Sequence, residues 1–230
     1  MLFLLYPSRC PICDRVRDFR DPGICSSCRK KIVYASEPRC KKCGKKLKRE
    51  NAEYCENCRA FPHEFTQARA CWLYRDPVRG AVYRFKNSNR RDYAALFAEE
   101  MIRQNAVWLS NLKVDFIVPV PLHKKKKRLR GYNQAELLAE EISRKCGIPL
   151  KKNLLCKNKE TEQQKSLTRQ KRKANLKDAF CVKEKIASGQ SFLLIDDVYT
   201  TGSTADAAAL VLKEAGAKEV YVFCLCIGAS

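Results

Sequence analysis

Four pairs of cysteines, each of the form Cys-x-x-Cys, begin every 15 residues and constrain the fold of this chain more than any other feature. A fixed period of this kind indicates repeated small structural units. Two cysteines three positions apart on a tight turn can both bind one metal ion at about 2.3 Å, and two such pairs complete a tetrahedron. The eight paired cysteines are Cys10, Cys13, Cys25, Cys28, Cys40, Cys43, Cys55 and Cys58. They predict two zinc ions, each bound by four thiolates.

The spacing leaves two ways of combining the pairs. Neighbouring pairs can share an ion, so that the first joins the second and the third joins the fourth, or the pairs can interleave, first with third and second with fourth. In both arrangements the thiolates fill every coordination position, which predicts a structural rather than a catalytic metal. Because few large aliphatic residues surround the cysteines, this segment needs a metal to fold. We assign residues 1–63 to a zinc-ribbon module and residues 64–230 to a second domain.

The other cysteines and the apolar segments favour a protein of the reducing cytoplasm. Six of the 14 cysteines stand outside the pairs, and those in apolar stretches are expected to be small buried side chains. The opening residues Met1–Leu5 are apolar but lack the basic start and the small-residue cleavage site of a signal peptide. No apolar run in the sequence approaches the ~18 residues that a membrane-spanning helix needs. We therefore predict a cytoplasmic protein without a membrane span.

The second domain alternates apolar strands with helical segments. Apolar runs predict strands over residues 68–74, 114–118, 192–195 and 220–227, with the third in the centre of a sheet. Apolar residues at helical spacing predict helices over residues 92–107, 133–145 and 204–215. Strands that alternate with helices are typical of a parallel α/β sheet, which is the fold class predicted for this domain.

The predicted central strand ends in two carboxylates, and a loop of small polar residues follows. Asp196 and Asp197 stand at the carboxyl end of the strand, where parallel α/β sheets bind ligands. The loop that starts the next helix consists of Thr200, Thr201, Gly202, Ser203 and Thr204. Free backbone N–H groups at a helix start bind anions, and Gly202 lets the backbone approach a phosphate closely. The two carboxylates suit vicinal sugar hydroxyls or a hydrated divalent metal.

The segment Phe192–Thr204 resembles the ribose-phosphate signature of the type I phosphoribosyltransferases. The resemblance implies that Asp196 and Asp197 contact the ribose hydroxyls and that residues 200–204 hold the 5′-phosphate. The implied ligand is 5-phosphoribosyl-1-pyrophosphate (PRPP) or a related compound, with Mg²⁺ as a candidate companion ion. Thr200 stands where purine-salvage members commonly carry an aspartate that contacts the base, which disfavours purine salvage.

Over nearly its whole length the chain resembles the ComF family of competence-associated proteins. The matching segments are the paired cysteines together with Tyr74–Lys86, Val118–His123, Arg128–Gln134 and Thr161–Phe180. The resemblance implies a cytoplasmic role in DNA uptake during natural transformation. It implies a phosphoribosyltransferase-like site, of the pentosyltransferase class if active, but it names no catalytic residue.

Positive charge is concentrated in the middle of the chain. The net charge is +21, from 46 Lys and Arg against 25 Asp and Glu, and residues 122–177 alone carry 18 basic and 5 acidic side chains. Such a field indicates a polyanionic partner, and we predict single-stranded DNA. In type I enzymes the loop after the second strand contacts pyrophosphate, so the resemblance makes Arg128, Arg130 and Asn133 candidates there. Arg172 is a further candidate, in the segment that corresponds to the family's hood loop.

Three functions stay open on the sequence. A PRPP-dependent enzyme or sensor needs the acidic pair and the loop, whereas a nucleic-acid-binding module needs only the basic surface. A zinc-stapled adaptor without turnover would contact a helicase or a membrane channel of the uptake machinery. We combine the first two in one hypothesis, a PRPP-type site within a protein that handles incoming single-stranded DNA. The motif predicts ligand binding, but a resemblance of fold does not by itself predict an activity.

Overall fold

The computed structural model describes residues 8–18, 23–49, 51–158 and 179–228. Its helices are α1 (Ser26–Arg29), α2 (Glu56–Ala60), α3 (Val78–Asn87), α4 (Tyr93–Gln104), α5 (Ala106–Ser110), α6 (Lys124–Arg130), α7 (Gln134–Cys146) and α8 (Ser203–Glu214). Its strands are β1 (Gln67–Leu73), β2 (Phe116–Pro119), β3 (Leu155–Lys157), β4 (Phe180–Val182), β5 (Ser191–Tyr199) and β6 (Glu219–Ile227). Among the described helices, none is long and apolar enough to cross a membrane. The predictions for Arg172 and for Met1–Leu5 concern residues outside the described ranges.

Four parallel strands form the central sheet in the order β1, β6, β5, β2. β5 and β6 occupy the middle of the sheet and are largely buried, because the sheet is covered on both faces. The predicted parallel α/β sheet is therefore confirmed. β3 and β4 form a separate antiparallel pair, which the sequence analysis did not predict.

Each face of the sheet has its own hydrophobic core. The first core packs α3, α4 and α7 against one face, with Phe97, Leu138 and Ile195 among its fully buried members. The second core packs α8 against the opposite face and contains Leu194 and Ala208. Successive side chains of a strand point to opposite faces, which is why Leu194 and Ile195 fall in different cores.

The cysteine-rich segment folds against the outer edge of β1. Residues 33–35 run antiparallel to Cys71–Leu73, with two backbone hydrogen bonds of 2.9 Å and 2.8 Å. Further along the same edge, Ala68 N–H donates to the Lys42 carbonyl at 2.7 Å. An open strand edge presents unpaired N–H and C=O groups, and this contact satisfies several of them. The segment and the α/β domain share backbone hydrogen bonds, and the domain boundary after residue 63 stays a prediction.

Several elements differ from their sequence predictions. β5 continues through the acidic pair to Tyr199, because these residues still pair with β6. Residues 124–130, predicted as part of a loop, form α6. Lys and Arg favour helices, and Gly131 ends this one in the left-handed conformation. α3 was not predicted, and the predicted helix over 92–107 divides into α4 and α5 at Asn105.

Five of the six cysteines outside the pairs lie on strands, and the sixth, Cys146, is half-buried at the end of α7. Cys71, Cys224 and Cys226 are buried in β1 and β6, as predicted for small apolar side chains. Cys156 and Cys181 stand opposite each other on β3 and β4 and are joined by a disulfide. This bond could not be predicted from the sequence, because the two cysteines lie 25 residues apart with no shared motif.

Candidate functional site

The eight paired cysteines gather into two clusters of four. The first cysteine cluster is Cys10, Cys13, Cys25 and Cys28, and the second cysteine cluster is Cys40, Cys43, Cys55 and Cys58. Within each cluster the sulfur atoms all lie within 4.8 Å of one another. This grouping confirms that neighbouring pairs combine and excludes the interleaved arrangement.

The spacing of the sulfur atoms fits zinc in both clusters. Cys13 Sγ lies 3.9 Å from Cys25 Sγ, and Cys43 Sγ lies 3.8 Å from Cys55 Sγ. Tetrahedral coordination with bonds of about 2.3 Å places the sulfur atoms about 3.8 Å apart. Four thiolates would complete the coordination of each ion, so the two clusters suit structural zinc and leave no position for a substrate.

Tight turns with positive φ follow the first pair of each cluster. In the second cysteine cluster Gly44 N–H donates to the Cys40 carbonyl at 2.9 Å, and Gly44 has a φ of +75°. A Cβ there would lie 2.8 Å from the Ala68 carbonyl oxygen, so only glycine fits between this turn and β1. Asp14 takes the equivalent position in the first cysteine cluster with a φ of 61°, and its side chain accepts a hydrogen bond from the Tyr93 hydroxyl at 2.5 Å.

The acidic pair lies near the carboxyl end of β5. Burial of its carboxyl group, together with the neighbouring charge of Asp197, raises the pKa of Asp196 to about 7. Asp197 N–H donates to Asp196 Oδ1 at 2.8 Å. Asp196 therefore changes its charge near neutral pH, and a bound cation would favour its ionised form.

Two lysines from other elements bring positive charge to the acidic pair. Lys86 Nζ of α3 lies 2.7 Å from Asp197 Oδ1, and both side chains are largely buried. Burial disfavours the charge of Lys86, but the attraction of Asp197 outweighs it and the pKa of Lys86 is raised. On β3, burial and repulsion from Lys126 lower the pKa of Lys157, while Asp196 acts in the opposite direction. Neither lysine was predicted as a site residue from the sequence, although Lys86 ends a segment that resembles the ComF family.

The predicted phosphate loop, residues 200–204, leads from β5 into α8. Gly202 has a φ of +85° and stands at the N-cap of α8, as expected of the residue that lets the backbone turn. Thr201 Oγ1 and Ser203 Oγ lie 2.9 Å apart, and Ser203 N–H donates to Thr201 Oγ1 at 3.4 Å. Thr200 and Thr201 are exposed. The loop thus gathers two hydroxyls and a helix start at the end of β5, an arrangement that can bind a phosphate group.

The basic candidates of the second loop have different surroundings. Arg128 is exposed on α6, and Arg130 Nη1 donates to Gln134 Oε1 at 2.7 Å. Asn133 is buried, with its Nδ2 donating to the Val120 carbonyl at 3.0 Å and its Oδ1 capping α7. Both amide atoms of Asn133 therefore have structural partners. The assignment of these three side chains to a pyrophosphate site stays a prediction.

The segment that follows α6 fixes the end of α3. Tyr132 Oη donates to the Phe85 carbonyl at 2.5 Å, and Gln134 Nε2 donates to the same carbonyl at 3.4 Å. Because Phe85 precedes Lys86, these hydrogen bonds position the lysine that faces the acidic pair. This role follows from contacts between distant segments, and no pattern within either segment indicates it.

Comparison with known proteins matches both parts of the chain. The double zinc ribbon domain family matches residues 1–59, and the phosphoribosyl transferase domain family matches residues 132–230. Competence protein F of Haemophilus influenzae is 33% identical over 222 residues, which are 94% of this chain and 95% of that protein. DNA utilization protein YhgH of Escherichia coli K12 is 29% identical over 220 residues, 94% of this chain and 89% of that protein. Competence protein ComFC of Bacillus subtilis is 29% identical over 210 residues, 85% of this chain and 80% of that protein.

Proposed function

This chain belongs to the ComF family of competence proteins, and from that premise we propose that it acts in DNA uptake by binding a PRPP-type ligand and single-stranded DNA. The observation that carries the ligand proposal is the convergence of the acidic pair, Lys86 and the Gly202 loop at the carboxyl end of β5. Each part suits one group of the ligand. Carboxylates accept hydrogen bonds from ribose hydroxyls, N–H groups at a helix start bind a 5′-phosphate, and lysines attract pyrophosphate.

We propose that Asp196 and Asp197 also hold Mg²⁺ when the ligand is bound. Carboxylate oxygens are the protein ligands that Mg²⁺ prefers, and the ion would neutralise charge on the pyrophosphate. Lys86 now pairs with Asp197, so ligand binding would redistribute this positive charge between the carboxylate and the pyrophosphate. The proposal therefore assigns Lys86 a part in ligand binding as well as in holding the acidic pair.

Calorimetry with PRPP and Mg²⁺ on the zinc-replete protein tests this proposal. The Asp196→Asn, Asp197→Asn double variant should bind at least about 100-fold more weakly, because it loses the charges that face the ribose and the ion. Asp76→Asn serves as a matched control, since Asp76 is exposed and pairs only with its neighbour Arg79 among the contacts seen. Wild-type protein that does not bind, or a double variant that binds as tightly as wild type, would contradict the proposal.

The DNA part of the proposal rests on the basic region of the chain. Residues 122–177 carry a net charge of +13, and α6 presents a run of exposed lysines to solvent. Binding of a phosphate backbone depends mainly on such charges. Because carboxylates repel phosphates, the Asp196→Asn, Asp197→Asn variant should keep its affinity for a single-stranded oligonucleotide in fluorescence anisotropy. Protein that binds PRPP but no DNA would favour an adaptor that contacts a helicase or a channel.

A further inference from the structure

The last residues of the cysteine-rich segment contact the helix that follows the phosphate loop. His63 is one of two histidines in the chain, and its side chain is fully buried. Its Nδ1 lies 2.7 Å from Asp206 Oδ2, and the other carboxylate oxygen of Asp206 accepts a hydrogen bond from Glu64 N–H at 3.0 Å. One carboxylate thus holds two consecutive residues at the junction between the cysteine-rich segment and β1.

Asp206 connects this junction to the loop. It lies in the first turn of α8, and its N–H donates to the Gly202 carbonyl at 2.8 Å. The side chain of Asp206 therefore faces His63 while its backbone holds the residue at which the loop turns. A displacement of His63 would be transmitted to Gly202 through a single residue.

The imidazole ring of His63 also forms part of the floor beneath the loop. A Cβ on Gly202 would collide with Tyr199 Oη and would lie 3.0 Å from His63 Cε1. On its other side the ring of His63 stacks on Phe65, with ring centroids 4.7 Å apart. Phe65 in turn meets Tyr199 edge to face at 6.1 Å. These three rings leave Gly202 little room to move toward the interior.

The same core contains part of the second cysteine cluster. Cys40, Cys43, Phe65, Tyr199 and Ala205 all belong to the core on the α8 face. Cys58, the last ligand of that cluster, precedes His63 by five residues. The metal site therefore fixes one end of the short segment that carries His63.

From these contacts we infer that His63 is a positioning residue for the phosphate loop, acting through Asp206 and through its packing beneath Gly202. This inference rests on the proposed function for its consequence on ligand affinity. The Nδ1–H group of His63 donates to the Asp206 carboxylate, which fixes the first turn of α8 and its N–H groups. A loop that is ordered before the phosphate arrives loses less conformational entropy on binding. The cysteine-rich segment thereby contributes to phosphate affinity without touching the ligand.

Two variants of His63 separate the hydrogen bond from the burial of the side chain. His63→Leu keeps a buried side chain of similar size but removes the donor to Asp206. His63→Asn keeps a donor near the position of Nδ1, because the asparagine amide can donate to the same carboxylate. Asp14→Asn is the matched control, since Asp14 also joins the cysteine-rich segment to a helix of the α/β domain, through the Tyr93 hydroxyl at 2.5 Å.

Ribose 5-phosphate titrated into each zinc-replete protein by calorimetry gives the first measurement, and zinc content is determined in parallel. We expect His63→Leu to bind roughly ten-fold more weakly with zinc content unchanged, and His63→Asn to recover most of that loss. Asp14→Asn should bind as wild type does. Equal affinity of His63→Leu and wild type, or no recovery in His63→Asn, would overturn the inference.

Hydrogen exchange without ligand gives a second measurement that does not depend on the proposed function. In His63→Leu the amides of residues 201–206 should exchange faster than in wild type, and in Asp14→Asn they should not. If wild type binds no ribose 5-phosphate, the proposed function is wrong, while this exchange still decides the role of His63. If His63→Leu does not fold, Asp206→Leu takes its place, because leucine has no acceptor for His63 Nδ1–H, and unchanged exchange in that variant would overturn the inference.

Discussion

The two cysteine clusters have the same donor set but lie on opposite faces of the sheet. The first cysteine cluster belongs to the core of α3, α4 and α7, and the second belongs to the core of α8. Beside the first, Arg84 of α3 donates to the Ile12 carbonyl, and Arg29 pairs with Glu100 of α4 at 3.0 Å. Beside the second lie Tyr199 and the residues beneath the phosphate loop.

From this difference we infer that two clusters with the same donor set would stabilise different parts of the proposed ligand site. The first cysteine cluster supports α3, the helix that carries Lys86 to the acidic pair. The second supports the floor of the loop proposed to hold the phosphate. Because the sheet separates the two cores, the first cluster contacts the proposed ligand site through α3 and the second through the residues beneath the loop. Both sets of contacts end near the carboxyl end of β5.

The largest effect is expected from removing one ligand of each cluster at matched positions. Cys28 on α1 and Cys58 on α2 are the last ligands of their clusters. Cys28→Ser and Cys58→Ser should each lower the zinc content from two ions to one and destabilise the fold by several kcal/mol, since structural zinc contributes about 10–16 kcal/mol in small peptides. Only Cys58→Ser should also speed hydrogen exchange in residues 200–206. Equal hydrogen exchange in the loop of the two variants would contradict the inference that only the second cysteine cluster supports this loop.

The next effect concerns the glycine of the loop. Gly202→Ala introduces a Cβ that collides with Tyr199 Oη at a residue with a φ of +85°. We expect a loss of about 100-fold in PRPP affinity, because the backbone must move away from the position that suits the phosphate. Gly189→Ala is the matched control, since Gly189 has a φ of +90° but no heavy atom within 4 Å of the added Cβ. Equal loss of affinity in both variants would show that backbone strain alone, and not the collision at Gly202, causes the loss.

The cysteine clusters and the turn that leads from β5 into α8 could be predicted because their residues are neighbours in the sequence. The paired cysteines share a fixed spacing, and residues 196–204 are contiguous. Lys86 and His63 could not be predicted in the same way, since their carboxylate partners lie 111 and 143 residues away. Which distant side chain faces a carboxylate is decided by packing of the two cores, and a single sequence contains no local pattern for it.

Two errors have a more general cause. The run of basic residues over 124–130 was predicted as a loop by resemblance, although Lys and Arg favour helices and Gly131 supplies a stop. The end of β5 was placed before Asp196 because the apolar run ends there. In the structure, backbone pairing with β6 carries the strand on to Tyr199 and overrides the polarity of the side chains.

DNA affinity should depend on where the positive charge lies in the chain and not on either cysteine cluster. Replacement of Arg169, Lys171 and Arg172 by glutamate reverses three charges outside the described residues. It should weaken single-stranded DNA binding roughly ten-fold. It should also flatten the log–log salt slope by about one unit or more, because each phosphate contact contributes about −0.7 on single strands. Reversal of Lys183, Lys185 and Lys218 changes the net charge equally and should leave the slope near that of wild type. If reversal of Arg169, Lys171 and Arg172 leaves both the affinity and the slope of wild type unchanged, the basic region contacts a protein partner rather than DNA.

The smallest effect is a pH dependence that separates the acidic pair from the loop. The pKa of Asp196 is raised from 3.8 to about 7, so its ionised form becomes abundant only above that pH. PRPP affinity in the presence of Mg²⁺ should therefore rise by up to about ten-fold from pH 6 to pH 8, because ribose hydroxyls and the ion bind the carboxylate form.

Stability should change in the opposite direction over a wider range. An acid with a raised pKa in the folded state binds its proton more tightly when folded, so its contribution is present below pH 3.8 and is lost as pH rises through about 7. Asp196→Asn should remove this decline in urea unfolding and most of the rise in affinity, whereas Gly202→Ala should weaken binding by the same factor at every pH. If the pH profile of Asp196→Asn matches that of wild type, another group causes the pH dependence, and the acidic pair and the loop are not distinguished by pH.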